Sequence, residues 1–290
     1  MSREYLAIIL AFITLLGYLS YKKLKSSSIY PNQTITYKVE NGINLALHVF
    51  KAKTNKSSGT HPALLFFHGG AWQYGSPKQF YPQCEFFAQH GLSCFSAQYR
   101  IKSVHGTDPR DSIQDAQAAL NYLHQHSKEL NIDPTRIIVA GGSAGGHLAA
   151  AIGTSIPLLN NSSKNKHQVR PNALILYNPM LDLSPDKPDH HLVSDYWQDV
   201  SPMHNIDKNT PATLILVGTN DPEVPVETVK KFCGLMKDYD LFCELGLYQG
   251  ATHGFFNYQI ENAKYFHATN KQVIRFLGQI GFIVAEGNTQ

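Results

Sequence analysis

Ser143 is the residue whose setting points most directly to chemistry. It stands in Gly141-Gly142-Ser143-Ala144-Gly145, a G-x-S-x-G pentapeptide. Before it lies the apolar run Arg136-Ile137-Ile138-Val139-Ala140, and after it the small-residue run Gly146-His147-Leu148-Ala149-Ala150-Ala151. The first reads as a short buried strand and the second as a tightly packed helix start. A serine on such a strand–turn–helix is held in a strained conformation with its hydroxyl exposed. Glycines two before and two after remove side chains that would crowd the turn. The helix N-terminus aims free N–H groups at the reacting centre. The chemistry implied is nucleophilic, and it requires a base and a group to orient that base.

Candidates for both follow in the chain. A buried-looking strand over 213–218 ends at Thr219-Asn220-Asp221-Pro222, and a further strand over 241–247 leads to Gly250-Ala251-Thr252-His253-Gly254-Phe255-Phe256. Asp221 and His253 therefore fall just past strand carboxyl ends, where open α/β sheets place their sites. Ser143, Asp221 and His253 are the expected triad, with Glu223 as the fallback acid. A third element is His68-Gly69-Gly70-Ala71-Trp72, directly after the apolar run Pro62-Ala63-Leu64-Leu65-Phe66-Phe67. Bare backbone there lets N–H groups approach a substrate oxygen, as an oxyanion hole requires. The expected donors are the amides of Gly69, Gly70, Ala71 and Ala144. Trp72, Tyr99, Trp197, Phe255 and Phe256 are the aromatic residues nearest these loops. Trp72, Tyr99 and Phe255 are the candidate substrate contacts, with core packing as their alternative role.

These residues need a scaffold, and the rest of the chain supplies one. At 290 residues the chain suits one domain with a small insertion. Hydrophobic residues are 43% and charged residues 16%, which fits a globular enzyme and not a disordered chain. A formal net charge of +3 is too small to argue for nucleic acid. No Walker loop and no zinc-ligand spacing is present, so neither a cofactor nor a metal is expected. Ile113, Ala116, Leu120 and Leu123 recur at helical spacing, predicting a surface helix over 111–129. A strand is predicted over 173–177, and helices over 226–239 and 263–277. The stretch 178–210 lacks periodicity and carries Pro179, Pro185, Pro188 and Pro202, reading as a loop or small lid.

The N-terminus differs in character. Residues 6–19 are uninterruptedly apolar, somewhat short of a full span of about 20 residues, with no small-residue cleavage site following. An uncleaved signal anchor over 1–25 is the first expectation, a cleaved signal peptide the second and a buried or cap-covering helix the third. Residues 26–34 read as a linker and 35–284 as the catalytic domain. Arg3 precedes the apolar stretch while Lys22, Lys23 and Lys25 follow it, a bias that favours the cytoplasmic face for the domain. An exported or membrane-anchored enzyme on the extracytoplasmic side is the competing expectation. Cys84 with Cys94 and Cys233 with Cys243 would each straddle a helix and the next strand. Bridges and free buried thiols both stay open.

Taken together, HGGAW at 68–72, Gln98-Tyr99-Arg100, Asn131-Ile132-Asp133-Pro134-Thr135-Arg136, GGSAGGHLAA at 141–150, Val200-Ser201-Pro202-Met203-His204-Asn205-Ile206 and the Asp221 and His253 loops resemble the α/β-hydrolase carboxylesterases. The chain is similar to their hormone-sensitive-lipase-like and feruloyl-esterase-like acetyl esterases over about 35–280. The resemblance implies an α/β-hydrolase fold, a mostly parallel central sheet flanked by helices with a small lid or loop insertion. It also implies acyl transfer from a small-molecule ester to water, acetyl groups and acetylated carbohydrates being the expected substrates. Ala71 departs from the third glycine of many relatives. Gly142 stands where the hormone-sensitive-lipase group usually has Asp, which favours the feruloyl- or acetyl-esterase branch. The HGG-x-W pattern also occurs in kynurenine formamidases, so amide hydrolysis is the alternative activity. A peptidase and a non-catalytic binding module of the same fold are the more distant alternatives.

Overall fold

The computed structural model describes residues 29–53, 59–154 and 169–283. The apolar stretch 6–19 lies outside them. Among the described residues no helix is long and apolar enough to cross a membrane. The body that begins at Pro31 is built on an eight-stranded sheet. Its strands are β1 (Gln33–Glu40), β2 (Ile43–Phe50), β3 (His61–Phe67), β4 (Ser93–Ala97), β5 (Ile132–Gly142), β6 (Ala173–Tyr177), β7 (Ala212–Gly218) and β8 (Cys243–Tyr248). They lie in the order β1-β2-β4-β3-β5-β6-β7-β8. From β4 to β8 all pairs are parallel, and the antiparallel pairs are β1–β2 and β2–β4, so β2 alone runs against the others.

β1 opens at Gln33, inside the stretch read as linker. Its hairpin partner β2 follows across Asn41-Gly42, both at positive φ (50° and 79°). That is the backbone of a two-residue hairpin turn whose twist matches that of the strands. Central strands read as unbroken apolar runs because helices cover both faces: Pro62 to Phe67 and all of β6 are buried. Edge strand β8 is half-exposed and alternates weakly.

The larger helices are α1 (Tyr81–Gln89), α2 (Pro109–Gln125), α3 (Ala144–Gly153), α4 (Val226–Lys237) and α5 (Lys264–Gln279). α2 starts two residues earlier than its apolar spacing predicts. Asp108 caps it, accepting from the Arg110 amide at 2.9 Å, while Asp111 takes the Asp108 amide at 3.3 Å. This capping box satisfies two donors that a bare helix end would orphan. Arg100 makes a two-pronged bond to buried Asp115 on α2, Nε to Oδ2 at 2.8 Å and Nη2 to Oδ1 at 2.9 Å. Lys38 of β1 adds a bond to Asp115 Oδ1 at 2.7 Å. One carboxylate thus ties β1, the segment after β4 and α2. Cys233 and Cys243 form a disulfide with Cα atoms 5.4 Å apart, whereas Cys84 and Cys94 are free and buried. Burial raises the Cys84 thiol, and the hydrogen bond and charge of Cys94 add to it.

The stretch after β6 is a loop with three single turns, Pro188–Leu192, Trp197–Val200 and Pro202–His204. It is pinned to the body at Val200, whose carbonyl accepts from His147 Nε2 at 2.8 Å, and at Tyr196, whose ring lies under the Arg110 guanidinium at 4.2 Å.

Candidate active site

Ser143 sits between β5 and α3 at φ 54°, ψ −120°, a region L-residues rarely occupy. The glycines around it are required by contact. A Cβ on Gly141 would lie 2.2 Å from the Gly145 carbonyl oxygen, and one on Gly145 2.1 Å from that of Phe67. A Cβ on Gly142 would lie 2.6 Å from Phe256 Cζ. The Phe256 ring, packed on Phe80 and Tyr177, fills the space that an acidic residue before the serine would need. The Ser143 amide donates to the Tyr177 carbonyl at 2.9 Å, which moors the turn to the end of β6.

Asp221 follows β7 and His253 follows β8, and the two meet. Asp221 Oδ1 accepts from the amides of Glu223 (2.9 Å) and Val224 (3.0 Å). His253 Nδ1 donates to the same carboxylate at 2.9–3.0 Å. The Asp221 side chain is fully buried. With Nδ1 donating, Nε2 is left as the basic nitrogen. Glu223 does not occupy the orienting position. It is largely exposed, and its Oε2 lies 3.4 Å from Nε2 at the opposite side of the ring. The Ser143 hydroxyl has no hydrogen bond to His253 among the described residues. Nε2 instead faces Asn178 Nδ2 at 3.1 Å, which is also 3.3 Å from Nδ1 and so lies over the ring face. Asn178 is buried, at φ 36°, immediately after β6. The sequence reading missed it, although its place at a strand carboxyl end was a signal. In the loop after β6, burial raises the Asp189 carboxyl while the charges of His191 and His253 oppose the rise.

The oxyanion loop differs from expectation at one donor. The Gly69 amide is taken by Gln79 Oε1 at 2.7 Å. The amides of Gly70, Ala71 and Ala144 donate to no group among the described residues. Gly70, at φ 121°, could not carry a side chain, since a Cβ would meet the Tyr74 carbonyl oxygen at 2.2 Å. Ala71 and Trp72 also have positive φ (53° and 57°). His68 supports the loop from beneath. Its ring stacks on Tyr99 with centroids 4.2 Å apart, and Tyr99 Oη donates to its carbonyl at 2.8 Å. Burial lowers the His68 pKa to about 4, so the ring is neutral.

Of the two roles open to the aromatic candidates, substrate contact and core packing, burial points to packing. Trp72, Tyr99 and Phe255 are 1–2% exposed. Trp72 packs edge-on against His147, Tyr99 braces His68, and Phe255 packs between Tyr248 and Tyr265. Each is drawn inward because a large ring on a strand-end loop has more apolar surface to bury than the loop can expose. Phe256 is likewise buried, and Trp197 lies on the lid between His190 and His204. Polar Gln79, Gln83 and Asn257, none anticipated, tie the loops together. Gln79 bonds Asn257 at 3.2 Å, and Gln83 donates to the Phe256 carbonyl at 3.1 Å.

The BD-FAE family model matches residues 47–235, spanning the oxyanion loop, the serine turn and Asp221. The chain is a member of the BD-FAE family, an α/β-hydrolase of the carboxylesterase type. The dienelactone hydrolase family model matches residues 190–281 of this family member, the part holding His253. Among solved structures it is similar to a thermophilic esterase of Thermogutta terrifontis, at 36% identity and a TM-score of 0.81, covering 88% of this chain and 94% of that one. A butyrate-bound form of that esterase has a TM-score of 0.80. Among curated proteins it is similar to a probable carboxylic ester hydrolase, LipM, of Mycobacterium tuberculosis, 29% identical over 60% of this chain and 44% of the relative. An acetylxylan esterase of Xylanibacter ruminicola is 24% identical over 64% of this chain and 39% of the relative. The chain spans about half the length of the first curated relatives it matches.

Proposed function

We propose that the protein hydrolyses short-chain acyl esters, acetyl esters foremost, through Ser143, His253 and Asp221. Ser143 Oγ attacks the ester carbonyl carbon. His253 Nε2 takes the hydroxyl proton and returns it to the leaving alkoxide, freeing the alcohol. Water then attacks the acyl-serine by the same relay and releases the acid. Asp221 holds His253 in the tautomer that leaves Nε2 basic. The oxyanion is received by the amides of Gly70, Ala71 and Ala144, each such donor stabilising the transition state by about 3 kcal/mol.

One observation carries this reading. The positive-φ Ser143 is moored to Tyr177, and the next residue, Asn178, touches the ring of the Asp221–His253 pair. Free-enzyme hydrogen bonds of this kind commonly tighten only with substrate bound, so the unmade Ser143–His253 bond is compatible with the relay. The short-acyl preference is supported by burial of the nearby aromatic rings, which leaves little open apolar surface. The acetylxylan esterase among the relatives supports an acetylated carbohydrate as the natural substrate. Attachment to a membrane through residues 6–19 is part of the same proposal, and fractionation of the full chain with and without detergent checks it.

The test is hydrolysis of p-nitrophenyl acetate, butyrate and octanoate by the full chain and its Ser143→Ala variant. Acetate or butyrate should be fastest, and the variant should lose turnover while keeping its fold. Octanoate as the best substrate would overturn the short-acyl reading. Undiminished turnover in the variant would overturn the serine mechanism.

A further inference from the structure

Glu223 stands beside the reacting nitrogen of His253 without a part in the proton relay. Its Oε2 lies 3.4 Å from Nε2, while the orienting acid, Asp221, is 2.9 Å from the other nitrogen, Nδ1. Among the described residues no side chain other than His253 pairs with the Glu223 carboxylate. Its side chain is 58% exposed, so the carboxylate is open to an incoming molecule. The turn that carries it is stiff. Pro222 and Pro225 flank Glu223 and Val224, each ring fixing its own φ. The amides of Glu223 and Val224 donate to Asp221 Oδ1 at 2.9 and 3.0 Å. The stem of Glu223 is thereby held next to the imidazole it faces.

The two facing atoms cannot satisfy each other in the free enzyme. With Nδ1 donating to Asp221, Nε2 is an acceptor, and an ionised carboxylate has no hydrogen to give. The substrate changes this. The leaving oxygen must come within about 3 Å of Nε2 to receive its proton. A substituent on the carbon beside that oxygen then falls next to Glu223. A hydroxyl there gives the carboxylate the donor it lacks, and such charge-assisted bonds are the stronger kind. An alkyl group there desolvates the carboxylate with no bond in return. A carboxylate left unengaged would also compete with the leaving oxygen for the Nε2 proton, and a hydroxyl bonded to it removes that competition.

We propose that Glu223 selects the leaving alcohol, its carboxylate accepting a hydrogen bond from a hydroxyl on the carbon next to the scissile ester oxygen. This assignment rests on the esterase reading of Ser143 and narrows its substrate class to esters of vicinal diols and polyols. Esters of simple alcohols of equal size are the poorer substrates.

The test uses the full chain and kcat/KM by pH-stat for 2-hydroxyethyl acetate, propyl acetate and 2-methoxyethyl acetate. Propyl acetate matches the hydroxylated ester in size, and the methoxy ester matches it in electron withdrawal. The wild type should favour the hydroxylated ester over both by about fivefold, the size of one net hydrogen bond. Glu223→Ala should remove that preference, and Glu223→Gln, which keeps a neutral acceptor, should retain part of it. Glu227→Gln, an exposed position on α4 paired with Lys230, should leave it unchanged and so exclude a bulk charge effect. Acetylcholine against 3,3-dimethylbutyl acetate presents a cation of the same shape without a donor. A preference for acetylcholine that Glu223→Ala abolishes, larger than that for the hydroxylated ester, would make the carboxylate a cation site and overturn the assignment. The assignment is equally overturned, with the esterase reading left standing, if the wild type shows no preference for the hydroxylated ester or Glu223→Ala keeps it. A fall shared alike by all three acetates in that variant would also overturn it, since an effect on the imidazolium alone does not distinguish alcohols. No hydrolysis of any ester would overturn the esterase reading and the assignment with it.

Discussion

Replacing Asp221 by Asn tests the catalytic reading at its most constrained point. Asp221 Oδ1 is fixed by the amides of Glu223 and Val224 at 2.9 and 3.0 Å. Those amides need an acceptor, so the Asn carbonyl oxygen must take the Oδ1 position and its NH2 the Oδ2 position. The NH2 then stands 2.9 Å from His253 Nδ1. Two donors cannot face each other there, so the ring must shift its proton to Nε2. A protonated Nε2 cannot accept the Ser143 proton. In a Ser-His-Asp triad a wrong tautomer with intact geometry costs roughly 10⁴ in kcat. Glu223 cannot rescue it, because its carboxylate reaches Nε2 and not Nδ1. Steady-state hydrolysis of p-nitrophenyl acetate at pH 8 should fall by about 10³ to 10⁴ in Asp221→Asn. Glu223→Gln should stay within about threefold, the scale of one exposed charge pair. An Asp221→Asn enzyme with a tenth or more of wild-type kcat would refute the tautomer argument. A loss of the larger size in Glu223→Gln would make that residue the orienting acid.

Further perturbations have defined outcomes. Gly142→Asp drives a side chain into Phe256, whose ring is fixed by Phe80 and Tyr177, and should cost about 1–3 kcal/mol in urea unfolding. Tyr99→Phe removes the bond to the buried His68 carbonyl and should cost about 1–1.5 kcal/mol, with a matching fall in Tm. His68 and His147 are both held neutral by burial, with pKa lowered to about 4. Because the folded value lies below the unfolded one of about 6.5, their contribution is complete above pH 6.5 and is lost as pH falls towards 4. Unfolding at pH 5 against pH 7.5 should show a deficit of about 2 kcal/mol per histidine, and His147→Gln should shrink it; an unchanged midpoint would contradict the neutral assignment. Replacing Cys233 and Cys243 together by Ala opens a loop of sequence separation 10 and should cost about 2.5 kcal/mol, with kcat unchanged because the bridge is remote from Ser143.

What the sequence disclosed follows from which interactions are local. The turn at Ser143 was legible because its glycines are forced by contacts within a few residues and with the adjacent strand end. The parallel strands were legible because burial on both faces leaves continuous apolar runs, as in β6. The β1–β2 hairpin was passed over, although Asn41-Gly42 is a strong turn signal, because β1 is largely exposed and only weakly patterned. Partners distant in the chain were not legible. Gln79 captures the Gly69 amide across 10 residues, and Asn178 meets His253 across 75. Nothing in a run of residues reveals which amide of a Gly-Gly loop is already spent. The burial of Trp72, Tyr99 and Phe255 was hidden for a similar reason, since loop position says nothing of the direction in which a ring points.

Backbone strain around the serine is held in place by its surroundings. Ala71, Trp72, Ser143 and Asn178 are non-glycine residues at positive φ, and all four belong to the strand-end loops around the serine. Such conformations cost on the order of 1–3 kcal/mol each and persist only where surrounding contacts over-determine them. Such contacts are present for Trp72, Ser143 and Asn178. The Ser143 amide is bound by Tyr177, the Asn178 amide by the Leu216 carbonyl at 2.7 Å, and the Trp72 carbonyl accepts from the Lys102 amide at 3.0 Å. The amides of Ala71 and Ala144 donate to no group among the described residues. These strained loops therefore hold unpaired amides beside Ser143. Asn41, Asn131, Asp240, Glu261, Asn262 and Ala263 have positive φ in other turns, so it is the free amides beside the serine, and not strain alone, that set these loops apart.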